Sequence, residues 1–145
     1  MPTIEERLTN LEAREECKEL RSRYAAFALR GDARGVASLF TEDCVFDGPS
    51  GPGKRAVIKG RKNLEDFLTP SIGTPGVVLP LIHNHITDIT GDTGTGSCVM
   101  ETPSAPNFGH LVCQYIEKFE RVNGKWYFAE RKMYLYIPTR EPQPT

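Results

Sequence analysis

The longest regular pattern of apolar positions lies at the N-terminal end of the chain. Apolar side chains recur there at helical spacing, at Ile4, Leu8, Leu11, Leu20, Tyr24 and Phe27. Thr3 and Glu6 match a capping box at the start of this segment, and Gly31 matches a left-handed C-terminal cap at its end. The pattern therefore predicts one long amphipathic helix over residues 4 to 30.

Two shorter helices are predicted after it. Asp32 is placed to cap a helix over residues 33 to 40, and residues 60 to 69 form a third helix that Pro70 ends. Residues 44 to 47 (CVFD) lie between these two helices and have the composition of a short strand.

Residues 48 to 55 (GPSGPGKR) contain the letters of a phosphate-binding loop, GxxxxGK. Arg55 stands where such a loop needs a metal-binding Ser or Thr, and Pro49 and Pro52 remove two amides from the phosphate cradle. We therefore interpret this segment as a mobile loop at the mouth of a cavity.

The second half of the chain predicts four long strands, at about 78 to 90, 93 to 103, 108 to 122 and 125 to 137. Gly91-Asp92 is a two-residue turn between the first two, and Asn123-Gly124 is one between the last two. The fold class is α+β, with three N-terminal helices packed on one face of a strongly bent antiparallel sheet. We expect a single domain over residues 1 to 137 and a flexible C-terminal tail over 138 to 145.

The predicted turns also determine which side chains share a face of the sheet. The Gly91-Asp92 turn places Leu81, His83, His85, Thr87 and Ile89 on one side, with His85 opposite Cys98 and His83 opposite Met100. For the last hairpin, the turn predicts a pocket face formed by His110, Val112, Gln114, Ile116, Ala129, Arg131, Met133 and Leu135. The opposite face contains Tyr115, Glu117, Phe119, Trp126, Phe128, Glu130, Lys132, Tyr134 and Tyr136. Large aromatic side chains among paired charges favour a subunit interface, and the reversed assignment of the two faces is the alternative.

Composition excludes several classes of partner. The net charge is −1 over 145 residues with no basic stripe, which argues against nucleic acid as the main partner. No apolar run approaches the ~20 residues of a membrane helix, and the polar start is unlike a signal peptide. The four cysteines are spread singly, as expected of reduced thiols in a cytoplasmic protein.

Phrases along most of the chain resemble the SnoaL-like branch of the nuclear transport factor 2-like superfamily. They are Tyr24…Gly31-Asp32…Val36 to Asp47, Lys59-Gly60-Arg61, Asn84-His85-Ile86…Gly91-Asp92, and Tyr115…Glu117…Asn123-Gly124-Lys125-Trp126…Arg131. The resemblance implies a cone-shaped roll with a pocket closed by the first helix, and a homodimer through the sheet. It also implies a range of functions, from polyketide cyclases, dehydratases, steroid isomerase and a dehydrochlorinase to proteins without catalysis, so fold does not fix function.

Dehydratase-like members of this branch pair a helical Asp with a strand His near a helical Tyr. Tyr24 matches the tyrosine. The position of the Asp is occupied by Leu29, and that of the His falls near Pro80 or Leu81. An acid–base site in this chain would therefore use other residues.

His83 and His85 are the first candidates, because an imidazole can act as acid or base near neutral pH. The alternative is that one packs in the core and the other faces a subunit interface. His110 is the candidate for passing the proton on. A metal site would need a third ligand such as Asp47 or Glu101, and because no ligand cluster stands out we expect none.

Three other side chains each have a catalytic and a structural interpretation. Tyr24 is placed to donate to a substrate carbonyl or to pack in the core. Arg131 is placed to hold an oxyanion, or to be the cross-strand partner of Glu117 or Glu130. Asp47 is placed to orient a histidine or to cap its own loop.

The residues expected to contact a substrate are Phe27, Phe46, Met100, Gln114 and Met133. We expect a cofactor-free enzyme of dehydratase, isomerase or cyclase type that acts on a small hydrophobic substrate, cyclic compounds included. We expect no redox cofactor, because the sequence contains no dinucleotide-binding motif such as GxGxxG. The alternative is a binding or accessory protein of the same fold, in which the pocket holds a ligand without turnover.

Overall fold

The computed structural model describes residues 1–105 and 108–142. Its helices are α1 (Ile4–Leu29), α2 (Ala33–Ala37) and α3 (Arg61–Ile72). Its strands are β1 (Phe40–Gly51), β2 (Lys54–Lys59), β3 (Leu81–Thr90), β4 (Thr93–Ala105), β5 (Gly109–Val122) and β6 (Lys125–Ile137). The sheet order is β2-β1-β6-β5-β4-β3, and neighbours are antiparallel except β1 and β6, which are parallel. The α+β prediction is confirmed, whereas the expectation of a wholly antiparallel sheet is wrong at that pair.

The long first helix is confirmed together with its capping box. The Thr3 hydroxyl accepts from the Glu6 amide at 3.0 Å, and the Glu6 carboxylate accepts from the Thr3 amide at 2.8 Å. The prediction of one continuous apolar stripe is wrong, because Ile4, Leu8 and Leu11 are exposed. The buried stripe begins at Ala13, and Leu11 and Leu20 are separated by roughly two and a half turns, so they lie on opposite sides of α1.

The segment interpreted as a loop at 48 to 55 is instead the tip of a hairpin. β1 continues to Gly51 and β2 begins at Lys54, with Pro49 paired to Arg55. Beyond Asp47, β1 has no further pairing with β6, so the missing amide of Pro49 removes no hydrogen bond from that side. The strand at 44 to 47 is therefore the middle of a longer element.

The shorter helices agree with the sequence at their starts and differ at their ends. Asp32 caps α2 by accepting from the Gly35 amide at 2.8 Å, but α2 ends at Ala37 because β1 begins at Phe40. α3 continues to Ile72 with Pro70 inside its last turn, where a proline costs at most one helical hydrogen bond.

A bulge in β3 overturns the predicted pairing of the histidines. Near the Gly91-Asp92 turn the register is as expected, with Ile86 opposite Ser97. Past the bulge, which contains Asn84 at φ +57°, His83 lies opposite Val99 and the register has moved by one residue. Because a one-residue shift exchanges the faces of a strand, His83 and His85 do not share a face.

A second bulge, at Ala129, explains why the predicted faces are wrong for β5 and for the part of β6 before Ala129. The Asn123-Gly124 turn forms as expected and Phe119 lies opposite Phe128, but beyond Ala129 the partner of Arg131 is Glu117. The buried face of β5 contains Leu111, Cys113, Tyr115, Glu117 and Phe119, which leaves His110, Val112, Gln114 and Ile116 on the other face. The aromatic set assigned to an interface is largely core, because Tyr115, Phe119, Trp126 and Phe128 are buried. On β6 past the bulge, Arg131, Met133 and Leu135 lie on the inner face as predicted.

Part of the predicted C-terminal tail is attached to the sheet. The Glu141 amide donates to the Leu135 carbonyl at 2.9 Å, and its carboxylate accepts from the Leu135 amide at 2.8 Å. Residues 143 to 145 of the tail lie outside the described residues. Within the described ranges, none of the helices is both long and apolar enough to cross a membrane.

Candidate functional site

A cavity of about 460 Å³ lies between α3, the tip of the β1–β2 hairpin and the inner face of the sheet. Its walls are mainly apolar and include Phe46, Phe67, Ile72, Met100, Leu111 and Met133. The hydroxyl groups of Ser71 and Thr102 in the wall donate to backbone carbonyls, at 3.1 and 3.2 Å. Neither of these two hydroxyls therefore has a proton left for a ligand, and the third, that of Ser50, is on an exposed residue at the hairpin tip.

Two tyrosines provide the polar feature of the cavity floor. Tyr24 on α1 and Tyr115 on β5 are both buried and both line the cavity, and their hydroxyl oxygens lie 3.2 Å apart. The pair has two hydroxyl protons, and their mutual hydrogen bond uses one of them. The second proton has no acceptor within the described residues, so it is available to a bound molecule.

Burial keeps both phenols protonated. It raises the pKa of Tyr24 above its usual value, although Arg131 and the hydrogen bond from Tyr115 act in the opposite direction. Burial raises the pKa of Tyr115 further, with Tyr24 adding to the shift. Both groups therefore act as hydrogen-bond donors at neutral pH and not as bases.

A buried charge cluster lies beneath the tyrosines. It consists of Arg21, Glu117 and Arg131, all of which are fully or almost fully buried. Glu117 Oε1 accepts from Arg21 Nη2 at 2.7 Å and from Arg21 Nε at 2.9 Å. Glu117 Oε2 accepts from Arg131 Nε at 3.0 Å, which confirms the cross-strand interpretation of Arg131.

Arg131 connects the charge cluster to the cavity floor. Its guanidinium carbon lies 3.5 Å from the ring centroid of Tyr115, 4.7 Å from that of Tyr24 and 4.5 Å from that of Phe128. Burial acts to lower the pKa of Arg131, but Glu117 outweighs it and the pKa is raised. A permanently charged, planar group thus packs against the faces of both phenol rings.

His85 contacts the charge cluster from the side away from the cavity. Its Nδ1 lies 3.2 Å from Arg21 Nη1, and since a guanidinium only donates, Nδ1 accepts and the proton of a neutral ring resides on Nε2. Burial lowers the pKa of His85, and Arg21 and Lys18 lower it further. His85 is a partner of Arg21 and does not line the cavity.

The other two histidines lie on the outer face of the sheet, which makes their predicted place in the pocket wrong. His110 Nε2 is 2.9 Å from Glu101 Oε2, and His83 Nε2 is 3.7 Å from Glu101 Oε1. His83 lies on the outer face because of the bulge in β3, and His110 lies there because the faces of β5 are the reverse of those predicted. Within residues 1–105 and 108–142, no three His, Cys, Asp or Glu side chains are arranged to hold a metal ion.

The remaining candidates divide between cavity and surface. Phe46, Met100 and Met133 line the cavity as predicted. Gln114 lies on the outer face, and Phe27 packs under the guanidinium of Arg30, 5.1 Å from ring centroid to carbon, outside the cavity. Asp47 binds Arg55 at 3.1 Å and orients no histidine, because the hairpin brings Arg55 beside it.

Sequence reasoning missed Tyr115 as part of the cavity floor and Arg21 as part of the charge cluster beneath it. The prediction did not include the bulge at Ala129, and it therefore placed Tyr115 on the wrong face of the sheet. Arg21 carried a detectable signal, because it follows Cys17 by four residues within the buried stripe of α1. A charged residue at a core position of a helix predicts a buried partner of opposite charge.

Comparisons with known proteins agree with this architecture. A family model described as a SnoaL-like domain matches residues 9–132. An NTF2-like protein with a cystatin-like fold from Novosphingobium aromaticivorans is similar, with a TM-score of 0.72 and 24% identity over 96% of this chain and 94% of that one. A hexachlorocyclohexane dehydrochlorinase, LinA-type3, from Novosphingobium barchaimii has a TM-score of 0.70 and 16% identity over 92% of this chain and 97% of that one. A protein of unknown function from Mycobacterium tuberculosis has a TM-score of 0.70 and 23% identity over 94% of this chain and 77% of that one. No curated protein sequence matches the chain.

Proposed function

Because the chain belongs to the family of SnoaL-like domains, we propose that it binds a small, mainly apolar molecule in the cavity described above. The ligand carries one oxygen, a carbonyl or a hydroxyl, that accepts a hydrogen bond from the Tyr24–Tyr115 pair. The observation that carries this proposal is a pair of buried phenols with an unused proton on the floor of an apolar cavity.

The size and chemistry of the cavity support a ligand of this class. Its volume of about 460 Å³ falls within the ~300–1,000 Å³ of small-molecule sites. Apolar walls favour a ring system, and the single polar point on the floor gives the ligand an orientation. Ser71 and Thr102 donate their protons to backbone carbonyls, and Ser50, the other hydroxyl side chain of the wall, is exposed at the hairpin tip. The phenol pair is therefore the buried donor that a ligand oxygen would meet.

A matched pair of ligands tests the proposal. Isothermal titration compares 1-tetralone with tetralin, which has the same two-ring skeleton without the carbonyl. We expect 1-tetralone to bind about 5–10-fold more tightly, as one additional hydrogen bond of ~1 kcal/mol would give. In the Tyr24→Phe/Tyr115→Phe double variant this difference should disappear while tetralin binding is unchanged.

A control variant removes a hydroxyl elsewhere on the sheet. Tyr136 is an exposed residue at the end of β6, and Tyr136→Phe should retain the full preference for 1-tetralone. Failure of both compounds to bind, or a preference that survives in the double variant, would contradict the proposal.

A second candidate function is cofactor-free elimination or isomerisation of the bound molecule. The similar dehydrochlorinase favours it, and so does the position of two protonated phenols where a carbonyl oxygen would gain negative charge. Asp66 is the carboxylate among the described cavity-lining residues, and it lies at the mouth in an ion pair with Lys62 at 2.8 Å. Asp66 is therefore the base that this function would use.

Hydrogen–deuterium exchange at the α-carbon of 1-tetralone, followed by NMR, separates turnover from binding. An enzyme of this type accelerates the exchange, and Tyr24→Phe should slow it about 10²-fold by removing a donor to the enolate oxygen. Binding without faster exchange would leave the protein as a binding protein and end the catalytic candidate.

We also propose a homodimer formed through the outer face of the sheet. The half-buried apolar side chains of Val112, Ile116 and Tyr134 on this face support it. Analytical ultracentrifugation should give the mass of two chains, and Ile116→Lys should reduce it to one. A single-chain mass for the unmodified protein at every concentration would contradict the dimer.

A further inference from the structure

We infer that the cavity takes its ligand as an oxyanion, so that the preferred ligands are weakly acidic hydroxyl compounds such as phenols and enols. This inference rests on the proposed function, because it concerns the same floor and the same phenol pair. It goes beyond that function by assigning the charge state of the ligand.

The buried charges do not balance beneath the cavity floor. Among the described residues, the buried charged side chains are Arg21, Glu117 and Arg131, which gives two positive charges and one negative charge. The single carboxylate is shared between both guanidinium groups, one on each oxygen. One positive charge therefore remains without a buried counter-charge, in surroundings where water cannot screen it.

The excess positive charge lies directly against the groups that would contact the ligand. Arg131 is the arginine of the cluster that stacks on both phenol rings, at 3.5 and 4.7 Å from their centroids. A negative oxygen held by Tyr24 and Tyr115 would thus lie one ring away from a guanidinium that shares its only buried counter-charge with Arg21. A neutral oxygen at the same place would not compensate the excess positive charge of the cluster.

The other titratable groups around the floor do not supply the missing negative charge. Burial raises the pKa of Cys98 to about 11, and it raises the pKa of Cys113 further, so both thiols are neutral. The lowered pKa of His85 keeps that ring neutral in its contact with Arg21. At the mouth, the charge of Asp66 is paired with that of Lys62.

Hydrogen bonding favours a ligand anion over a tyrosine anion at this place. If Tyr24 or Tyr115 lost its own proton, the phenolate would receive one hydrogen bond from the other tyrosine. A ligand oxyanion receives both phenol protons, since each hydroxyl can turn from its neighbour to the ligand. Hydrogen bonds to a charged acceptor are about twice as strong as those between neutral groups.

The experiment uses 4-nitrophenol, whose neutral and ionised forms absorb at different wavelengths, with 4-nitroanisole as its non-ionising analogue. A pH series of bound 4-nitrophenol reports its ionisation on the protein. We expect the pKa of bound 4-nitrophenol to be lowered by about one unit or more, which corresponds to ~10-fold tighter binding of the phenolate than of the phenol.

Two variants change the charge of the cluster in opposite directions without touching the cavity wall. Arg21→Met reduces the excess charge from one to none and should abolish the shift, whereas Glu117→Gln raises it to two and should enlarge it. Neither should alter the binding of 4-nitroanisole. If one variant fails to fold, the other still gives a change of predictable sign.

The outcomes distinguish the inference from the proposed function. Binding of both compounds with an unchanged or raised pKa of 4-nitrophenol overturns the inference and leaves the proposed function standing. A lowered pKa that is the same in Arg21→Met also overturns it, because the shift would then not come from the buried charge. Failure of both compounds to bind overturns the proposed function and the inference together.

Discussion

Replacing Glu117 with alanine should be among the most destabilising single changes in this protein. Its carboxylate is fully buried and accepts three hydrogen bonds, of 2.7, 2.9 and 3.0 Å, from Arg21 and Arg131. Alanine leaves two guanidinium groups buried without a counter-charge. Breaking a buried ion pair in this way costs about 3–5 kcal/mol of the free energy of unfolding.

A surface ion pair provides the matched control. Glu19 and Arg23 pair at 3.2 Å on α1 with both side chains more than half exposed. Glu19→Ala should therefore change the free energy of unfolding by at most ~0.5 kcal/mol. The contrast between the two alanine variants isolates the effect of burial.

Guanidinium chloride unfolding followed by circular dichroism measures both variants, and thermal unfolding gives a second readout. We expect Glu117→Ala to lower the melting temperature by about 6–20 °C, from 2–4 °C per kcal/mol for a domain near this size. A triple variant, Arg21→Met/Glu117→Leu/Arg131→Met, should recover most of the loss, because an apolar set of similar volume buries no charge. A loss of no more than about 1 kcal/mol for Glu117→Ala would refute the reasoning.

Three further predictions follow from single sites. Burial raises the pKa of Tyr24 and of Tyr115. Absorbance at 295 nm should therefore show that these two phenols ionise only above the usual pKa of ~10. Their contribution to the free energy of unfolding is complete below pH ~10 and is lost as the pH rises through the raised pKa values. The pKa of His85 is lowered, so its contribution to the free energy of unfolding is complete above pH ~6.5 and is lost as the pH falls through the lowered pKa. His85→Gln should therefore flatten the dependence of the free energy of unfolding on pH in that window. The same pH dependence in the variant and in the unmodified protein would contradict this. Gly31 has φ +74° and an added Cβ would lie 2.5 Å from the Pro75 nitrogen, so Gly31→Ala should cost more than ~1 kcal/mol in denaturant unfolding, and a neutral effect would show that the 74–75 segment moves aside easily.

The sequence was most informative where local chemistry determines the structure. Thr3 and Glu6 predicted the start of α1, and the Gly91-Asp92 and Asn123-Gly124 turns predicted where the β-hairpins reverse. In each case the residues that determine the feature lie within a few positions of one another. Such features depend little on the rest of the fold.

The faces of the strands could not be obtained in the same way. One additional residue in β3, near Asn84, and one in β6, at Ala129, reversed assignments several residues away. Neither bulge has a proline or glycine that would mark it in the sequence. Their positions are set by tertiary contacts, such as the pairing of Glu117 with Arg131, which no local pattern contains.

The candidate site was predicted only in part for the same reason. Tyr24, Phe46, Met100 and Met133 line the cavity as expected. The histidines were chosen for their chemistry, but the predicted faces of β3 and β5 put His83 and His110 in the pocket, whereas both lie on the outer face. Tyr115 occupies the cavity floor, where a histidine was expected to act as acid or base, and its protonated hydroxyl acts as a hydrogen-bond donor.

The most direct test of the account is a crystal structure of the protein with 4-nitrophenol bound. We expect the phenolic oxygen of the ligand on the cavity floor, within about 2.5–3.0 Å of the hydroxyl oxygens of both Tyr24 and Tyr115, with its ring between the apolar walls. A ligand bound at the mouth near Asp66, with the two tyrosines still hydrogen-bonded only to each other, would contradict the account.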